Sequence, residues 1–111
     1  MTRPQITILV VEDDVVDRKG CRRALSAQSD YEFLISEAEN GLEGLALAHT
    51  LRPDCVLLDY HLPDMNGLEF LAQLADDTGN ISVPVMMLTG ADNAAVAVEA
   101  MRRGAARAII W

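Results

Sequence analysis

Three short, unbroken apolar runs constrain the fold of this chain more than any other feature: ILVV at 8–11, CVLL at 55–58 and VMML at 85–88. A strand exposed on one face alternates apolar with polar residues. A continuous run instead marks a strand buried on both faces, as in a parallel sheet covered by helices. Each run ends in a chemical group: Glu12-Asp13-Asp14 after the first, Asp59 after the second and Thr89 after the third. If the strands are parallel neighbours, these ends converge at the crevice where open α/β sheets place their ligands.

The segments between the runs read as helices and turns. The first strand spans 6–11, and a helix over 15–28 follows, with Asp13 or Asp14 placed to cap its free amides. Gly20 weakens that helix. A mixed strand at 32–37 reads as an edge, and Asn40-Gly41 opens a helix to about residue 51, with Leu42, Leu45, Ala46 and His49 marking one face. Arg52-Pro53-Asp54 stops it, since proline disfavours helical geometry in the residue before it. After the third strand a turn-rich loop leads into a helix in which Leu68, Leu71, Ala72 and Ala75 recur at helical spacing. Pro84 begins the fourth strand, an alanine-rich helix covers 93–103 with Gly104 as its stop, and 106–110 makes a weaker fifth strand. That is five strand–helix steps with the last helix absent, in one domain of 111 residues.

Charge and cysteine content narrow the function. Nine basic residues against 17 acidic ones give a formal net charge of -8. That disfavours direct, non-specific binding to nucleic acid or to an anionic membrane. Arg18, Lys19, Arg22 and Arg23 form a local basic stripe, read as a solvated helix face. Cys21 and Cys55 have neither disulfide-framework nor metal-ligand spacing, and Cys55 reads as a small buried hydrophobe. No run has the length of a membrane span or the pattern of a signal peptide, so the expected location is a reducing cytoplasm.

Carboxylates gathered at one point repel, and a divalent cation resolves the repulsion. Mg2+ suits hard oxygen donors and commonly uses one or two carboxylates together with phosphate oxygens. Asp13 and Asp59 are the candidate direct ligands, Glu12 acts through water, and the backbone carbonyl of His61 offers a further donor. A carboxylate beside Mg2+ can also attack phosphorus and become an aspartyl phosphate. Asp59 is the candidate nucleophile, being single, at a strand end and followed by a loop, with the Thr89 hydroxyl placed to donate to a phosphoryl oxygen and Gly90 leaving room for close approach. The plain alternatives are a helix cap for Asp14, a cap for Thr89 and a solvent-facing imidazole for His61.

Taken jointly, ILVVEDD at 8–14, DYHLPDMNG at 59–67, PVMMLTG at 84–90 and AMRRGA at 100–105 resemble the receiver domain of two-component response regulators along essentially the whole chain. The resemblance implies a flavodoxin-like (CheY-like) doubly wound sheet in the order 2-1-3-4-5. It implies Asp59 as phosphoacceptor, Glu12 and Asp13 as the acidic pair, Thr89 as the switch hydroxyl, and the His61 carbonyl on Mg2+. It also implies a phosphohistidine donor on a sensor histidine kinase or a histidine phosphotransfer protein, with self-catalysed uptake and later hydrolysis.

The departures lie at the C-terminus. Ala108 stands at the family's switch-aromatic position and Trp111 at its lysine position, and the family's fifth helix is missing. Tryptophan cannot make the charge-assisted contact of a lysine. Two accounts stay open: a cut or altered receiver, or a degenerate receiver acting as a phosphorylation-independent interaction module. Either leaves one sheet face partly bare, which invites a homodimer or a domain swap. A metal-dependent hydrolase is a weaker reading, because Tyr60-His61 follow Asp59 where a second acid would serve the leaving group. A dinucleotide site fails, because EDDVVDRKG stands where GxGxxG would open the first helix.

Overall fold

In the computed structural model, which describes residues 3–27, 30–90 and 94–110, five strands form one parallel sheet. They are β1 (Gln5–Val11), β2 (Glu32–Ala38), β3 (Cys55–Asp59), β4 (Val85–Thr89) and β5 (Arg107–Ile110). Their order is β2-β1-β3-β4-β5, with every pairing parallel, as the resemblance implied. Among the described residues four helices alternate with them: α1 (Val15–Ser26), α2 (Gly41–Leu51), α3 (Gly67–Leu74) and α4 (Ala94–Arg102). The expected end of the first helix at residue 28 and start of the last at residue 93 lie outside the described residues.

Strand alternation sorts the sheet into two faces. Leu9 and Val11, Val56 and Leu58, and Val85 and Met87 make the fully packed face, covered by Leu45 and Ala48 of α2, Phe70 and Leu71 of α3 and Ala100 of α4. Each of these is buried, which accounts for the unbroken apolar strands. The opposite face, with Ile8, Cys55, Leu57, Met86 and Leu88, is only partly covered by α1. Beside α1 an open apolar groove of about 620 Å³ runs along the sheet, walled on the helix side by Val16, Gly20, Cys21 and Ala24. From the sequence one sheet face was expected to be partly bare, and among the described residues this groove lies on that less covered face. Cys21 and Cys55 are both free and half-buried here, so Cys55 is less enclosed than its strand position suggested.

Two helix faces differ from the sequence reading. In α2 the buried residues are Gly41, Gly44, Leu45 and Ala48, while Leu42 is 66% exposed. In α3 they are Gly67, Phe70 and Leu71, while Ala72 is exposed and Ala75 caps the helix. The reason is the same in both. The inward stripe begins at a glycine, which carries no hydrophobic signal but lets the helix backbone lie close to its neighbours. A Cβ on Gly44 would stand 2.9 Å from both Val11 methyl carbons and 3.1 Å from the Phe70 ring. Asp64 fixes the start of α2 as well, its carboxylate accepting from the amides of Gly41 at 2.7 Å and Leu42 at 2.9 Å. Those amides hold the Asp64 carboxyl below its ordinary value. The stop at Arg52 is left-handed (φ 46) rather than extended, and its amide still bonds the Ala48 carbonyl.

The contrast between two glycines gives a direct test of this packing. A Cβ on Gly20 would meet nothing within 4 Å. Gly20→Ala is therefore expected to stabilise the fold by about 1 kcal/mol through helix propensity. Gly44→Ala is expected to lose about 1–2 kcal/mol, since overpacking against Val11 outweighs the same gain. Urea unfolding midpoints measure both, and equal stabilisation by the two substitutions would refute the close approach of α2 to β1.

Candidate functional site

Three consecutive acids leave β1, and each takes a different position. The Glu12 amide bonds the Ala38 carbonyl at 3.0 Å, which prolongs the β1–β2 ladder and leaves Glu12 only 7% exposed. Its carboxylate folds back to accept the Asp14 amide at 3.0 Å. Asp14 caps α1, accepting from the amides of Val16 at 2.8 Å and Asp17 at 3.0 Å. Asp13 stays exposed between them.

Asp59 ends β3 opposite Leu88 of β4, half-buried. The loop after it is pinned by Tyr60, whose amide bonds Leu88 at 3.0 Å and whose carbonyl accepts from Gly67 at 2.7 Å. Parallel pairing of β1 with β3 then brings the two acidic strand ends together. Ligand oxygens of Glu12, Asp13 and Asp59 all lie within 4.8 Å of one another.

Thr89 ends β4 one residue beyond Leu88. It is 1% exposed, and its hydroxyl has no hydrogen-bond partner among the described residues. A buried hydroxyl without a partner is uncommon in a folded chain and costs free energy unless a ligand meets it.

The electrostatics follow from crowding and burial. Burial pushes the Glu12 carboxyl up to about 7 from an ordinary 4.5; the Asp14 amide opposes this, and Asp59, Asp13 and Asp17 reinforce it. Burial also raises the Asp59 carboxyl, with the Asp13 charge adding to the rise, while His61 and the backbone amides of His61 and Tyr60 pull it back. Three carboxyls here cannot all ionise cheaply without a cation. The donors are all hard oxygens at a mutual spacing one ion can bridge, so the residues fit Mg2+.

Of the residues singled out in the sequence, Glu12, Asp13 and Asp59 come together, and Thr89 ends the strand beside Asp59. The His61 side chain is exposed and meets the Tyr60 ring edge-on at 4.8 Å between centroids. Ala108 lies in β5, paired with Met87, and Trp111 lies outside the described residues.

Arg18 departs from the sequence expectation. It does not belong to a solvated basic face, although Lys19, Arg22 and Arg23 are exposed. Arg18 is 8% exposed, and its guanidinium bonds the carbonyls of Glu12 at 2.8 Å and Asp13 at 3.3 Å. A signal was available, because Arg18, Cys21 and Leu25 follow helical spacing on the inner side of α1. Asp64, the anchor of α2, was also missed.

No helix among the described residues is long and apolar enough to cross a membrane. Residues 8–110 match the response regulator receiver domain family. The nitrate/nitrite response regulator protein NarL of Escherichia coli is 35% identical over 99 residues, covering 89% of this chain and 44% of that protein. The response regulator protein VraR of Staphylococcus aureus is 40% identical over 84 residues, 76% of this chain and 39% of that protein. This chain therefore spans under half the length of these curated relatives. Among solved structures, the response regulator domain of Thermotoga maritima CheB superposes with a TM-score of 0.80 at 30% identity, covering 95% of this chain and 77% of that one. The matched family, the sheet order and the partly buried acidic cluster agree, and the chain belongs to the response regulator receiver domains, which are signalling modules rather than dedicated enzymes.

Proposed function

We propose that this chain, as a single receiver domain over residues 1–111, takes a phosphoryl group onto Asp59 from a phosphohistidine. The donor is a sensor histidine kinase or a histidine phosphotransfer protein, expected in the cytoplasm. One observation carries the reading: ligand oxygens of Glu12, Asp13 and Asp59 gather within 4.8 Å of one another at the ends of β1 and β3, and β4 beside them ends in Thr89, a buried hydroxyl without a partner among the described residues. Glu12, Asp13, Asp59 and the His61 carbonyl would hold Mg2+. Bound there, the ion supplies positive charge that ionises the carboxyls and offsets charge on the transferring phosphoryl oxygens. An Asp59 carboxylate oxygen forms the new bond to phosphorus as the bond from phosphorus to histidine nitrogen breaks. The imidazole leaves with the electron pair. Thr89 donates its hydroxyl hydrogen to a phosphoryl oxygen, which gives a partner to a hydroxyl that has none among the described residues. Water later hydrolyses the acyl phosphate and resets Asp59.

A second reading draws on the groove and the C-terminal positions. Ala108 has no ring to rotate, and Trp111 has no ammonium to reach a phosphoryl group. A degenerate or truncated receiver acting as an interaction module independent of phosphorylation fits these residues, and the apolar groove beside α1 offers the surface. Self-association or exchange of elements through that groove belongs to either reading. Sedimentation at high concentration is expected to show dimer, and a clean monomer removes this element.

Acetyl phosphate with Mg2+ is expected to add one phosphoryl group by intact mass, and Asp59→Asn to abolish it. Absence of labelling with Mg2+ present rejects the first reading. In the same assay Thr89→Val, which keeps shape and branching, is expected to slow uptake by about 100-fold through loss of a donor. It should also raise stability by about 1 kcal/mol, because a buried unpaired hydroxyl disappears. Loss of stability without loss of uptake contradicts the role given to Thr89.

The pH dependence follows from opposing shifts. The Glu12 carboxyl keeps its proton up to about pH 7 when folded but releases it near 4.5 when unfolded. The folded chain binds more protons in that window, so stability falls as pH rises through it. Asp64, Asp76 and Glu99 are shifted down and act oppositely, losing their contribution as pH falls through the acidic range. The metal-free Tm is therefore expected to peak in mild acid and to decline toward about pH 8, with Mg2+ raising it more at about pH 8 than at about pH 5.5. A metal-free Tm that climbs steadily to about pH 8 contradicts the crowded site.

A further inference from the structure

Three polar or charged side chains are buried among the described residues: Glu12, Thr89 and Arg18. The first two belong to the carboxyl cluster and its hydroxyl. Arg18 sits on the first turns of α1 and touches neither the phosphoacceptor nor the ion in the reading above. Burying a guanidinium is costly unless its donors are satisfied. Its Nη1 donates to the Glu12 carbonyl at 2.8 Å and to the Asp13 carbonyl at 3.3 Å, and its Nη2 lies 3.5 Å from Glu39. Glu39 is 71% exposed, so that pair adds little by itself, but it turns the guanidinium plane toward the end of β2.

The two carbonyls belong to the two peptide planes that flank the Asp13 Cα. Only Glu12, Asp13 and Asp14 separate the end of β1 from the start of α1. Glu12 is already fixed through its amide to Ala38, and Asp14 is fixed as the helix cap. Asp13 is exposed, and its backbone would otherwise be the free hinge of this segment. One guanidinium nitrogen, Nη1, reaches both adjacent peptides and removes that freedom, while Nη2 faces Glu39, so the group is directed from a second point that a single ammonium lacks.

We propose that Arg18 is a positioning residue: by clamping the peptide planes on either side of Asp13, it holds the Asp13 and Glu12 carboxyls where a divalent cation can bridge them to Asp59. It thereby sets cation affinity rather than the chemical step. This rests on the Mg2+ reading of the cluster.

The test is calorimetric titration of the full chain with Mg2+ alone, beside thermal unfolding and acetyl phosphate labelling across Mg2+ concentration. Arg18→Met, which keeps an unbranched stem without the charge, is expected to weaken Mg2+ binding by about tenfold, as removal of an outer support to a ligand typically does. Its labelling rate at saturating Mg2+ should return to near wild type. Arg18→Lys keeps the charge but cannot reach both carbonyls and Glu39 from two nitrogens at once, and is expected to fall between the two. A folded Arg18→Met with wild-type Mg2+ affinity, or with a lowered Tm and nothing else, overturns the proposal. If Arg18→Met does not fold, a wild-type Mg2+ affinity in Arg18→Lys overturns it instead. A wild-type chain that binds no Mg2+ overturns the cation reading itself and this inference with it, so the two failures are told apart by the unmutated protein.

Discussion

The parallel register of β1, β3 and β4 is the constraint on which the site depends. Val11 stands beside Leu58, and Asp59 beside Leu88. These pairings place the residues just past β1 next to the last residue of β3, and the last residue of β3 next to the end of β4. Because side chains alternate, a slip of one residue would send every core side chain to the opposite face. Leu9, Val11, Val56, Leu58, Val85 and Met87 are all fully buried on one side, so such a slip would expose the core. Hydrophobic burial thus determines where the carboxyls meet. The acids themselves contribute no attraction to bring them together: burial first, and the neighbouring carboxylates after it, raise the Glu12 and Asp59 carboxyls.

The two faces of the sheet are covered differently. On the packed side, α2 and α3 approach through glycines, close enough that Gly44 leaves no room for a methyl group beside Val11. On the other side a single helix lies over strands that read as fully buried in the sequence, and an apolar groove remains. Continuous apolar strands imply cover on both faces, and here that cover is incomplete among the described residues. Rigidity on the packed side keeps the strand ends in register. The open side is where apolar surface remains for another surface to bury.

Much of this was legible from residue order. The strands were readable because an unbroken apolar run of about four to eight residues between polar turns is too short for a buried helix. Glu12, Asp13 and Asp59 were readable because strand ends in a parallel sheet point the same way. Thr89, like Asp14 and His61, carried a plain alternative, since a threonine after a strand often caps a helix; its burial without a partner among the described residues is what bears on the choice. The helix faces were displaced because Gly41, Gly44 and Gly67 pack closely while adding nothing to a hydrophobic pattern. Arg18 was misread because charge normally points outward; its partners are main-chain carbonyls, which no side-chain pattern reveals. Asp64 was hidden for the same reason, its partners being two amides in a distant segment.

Helix α1 joins the two unusual features of the molecule. Its first turns carry Asp14 as cap and Arg18 as the clamp on the acidic segment, and its later turns supply Gly20, Cys21 and Ala24 to the groove wall. By strand alternation Glu12 and Asp59 continue the rows of Ile8 and Leu57, the same face on which α1 lies. The carboxyls, the guanidinium and the groove therefore share one side of the sheet. A helix bonded near its N-terminus to the peptides of the acidic loop, and bordered by the groove along its later turns, ties the position of α1 to the geometry of that loop. The groove wall and the two carbonyls that Arg18 holds thus belong to one helix, and the acidic loop and the groove are linked through it.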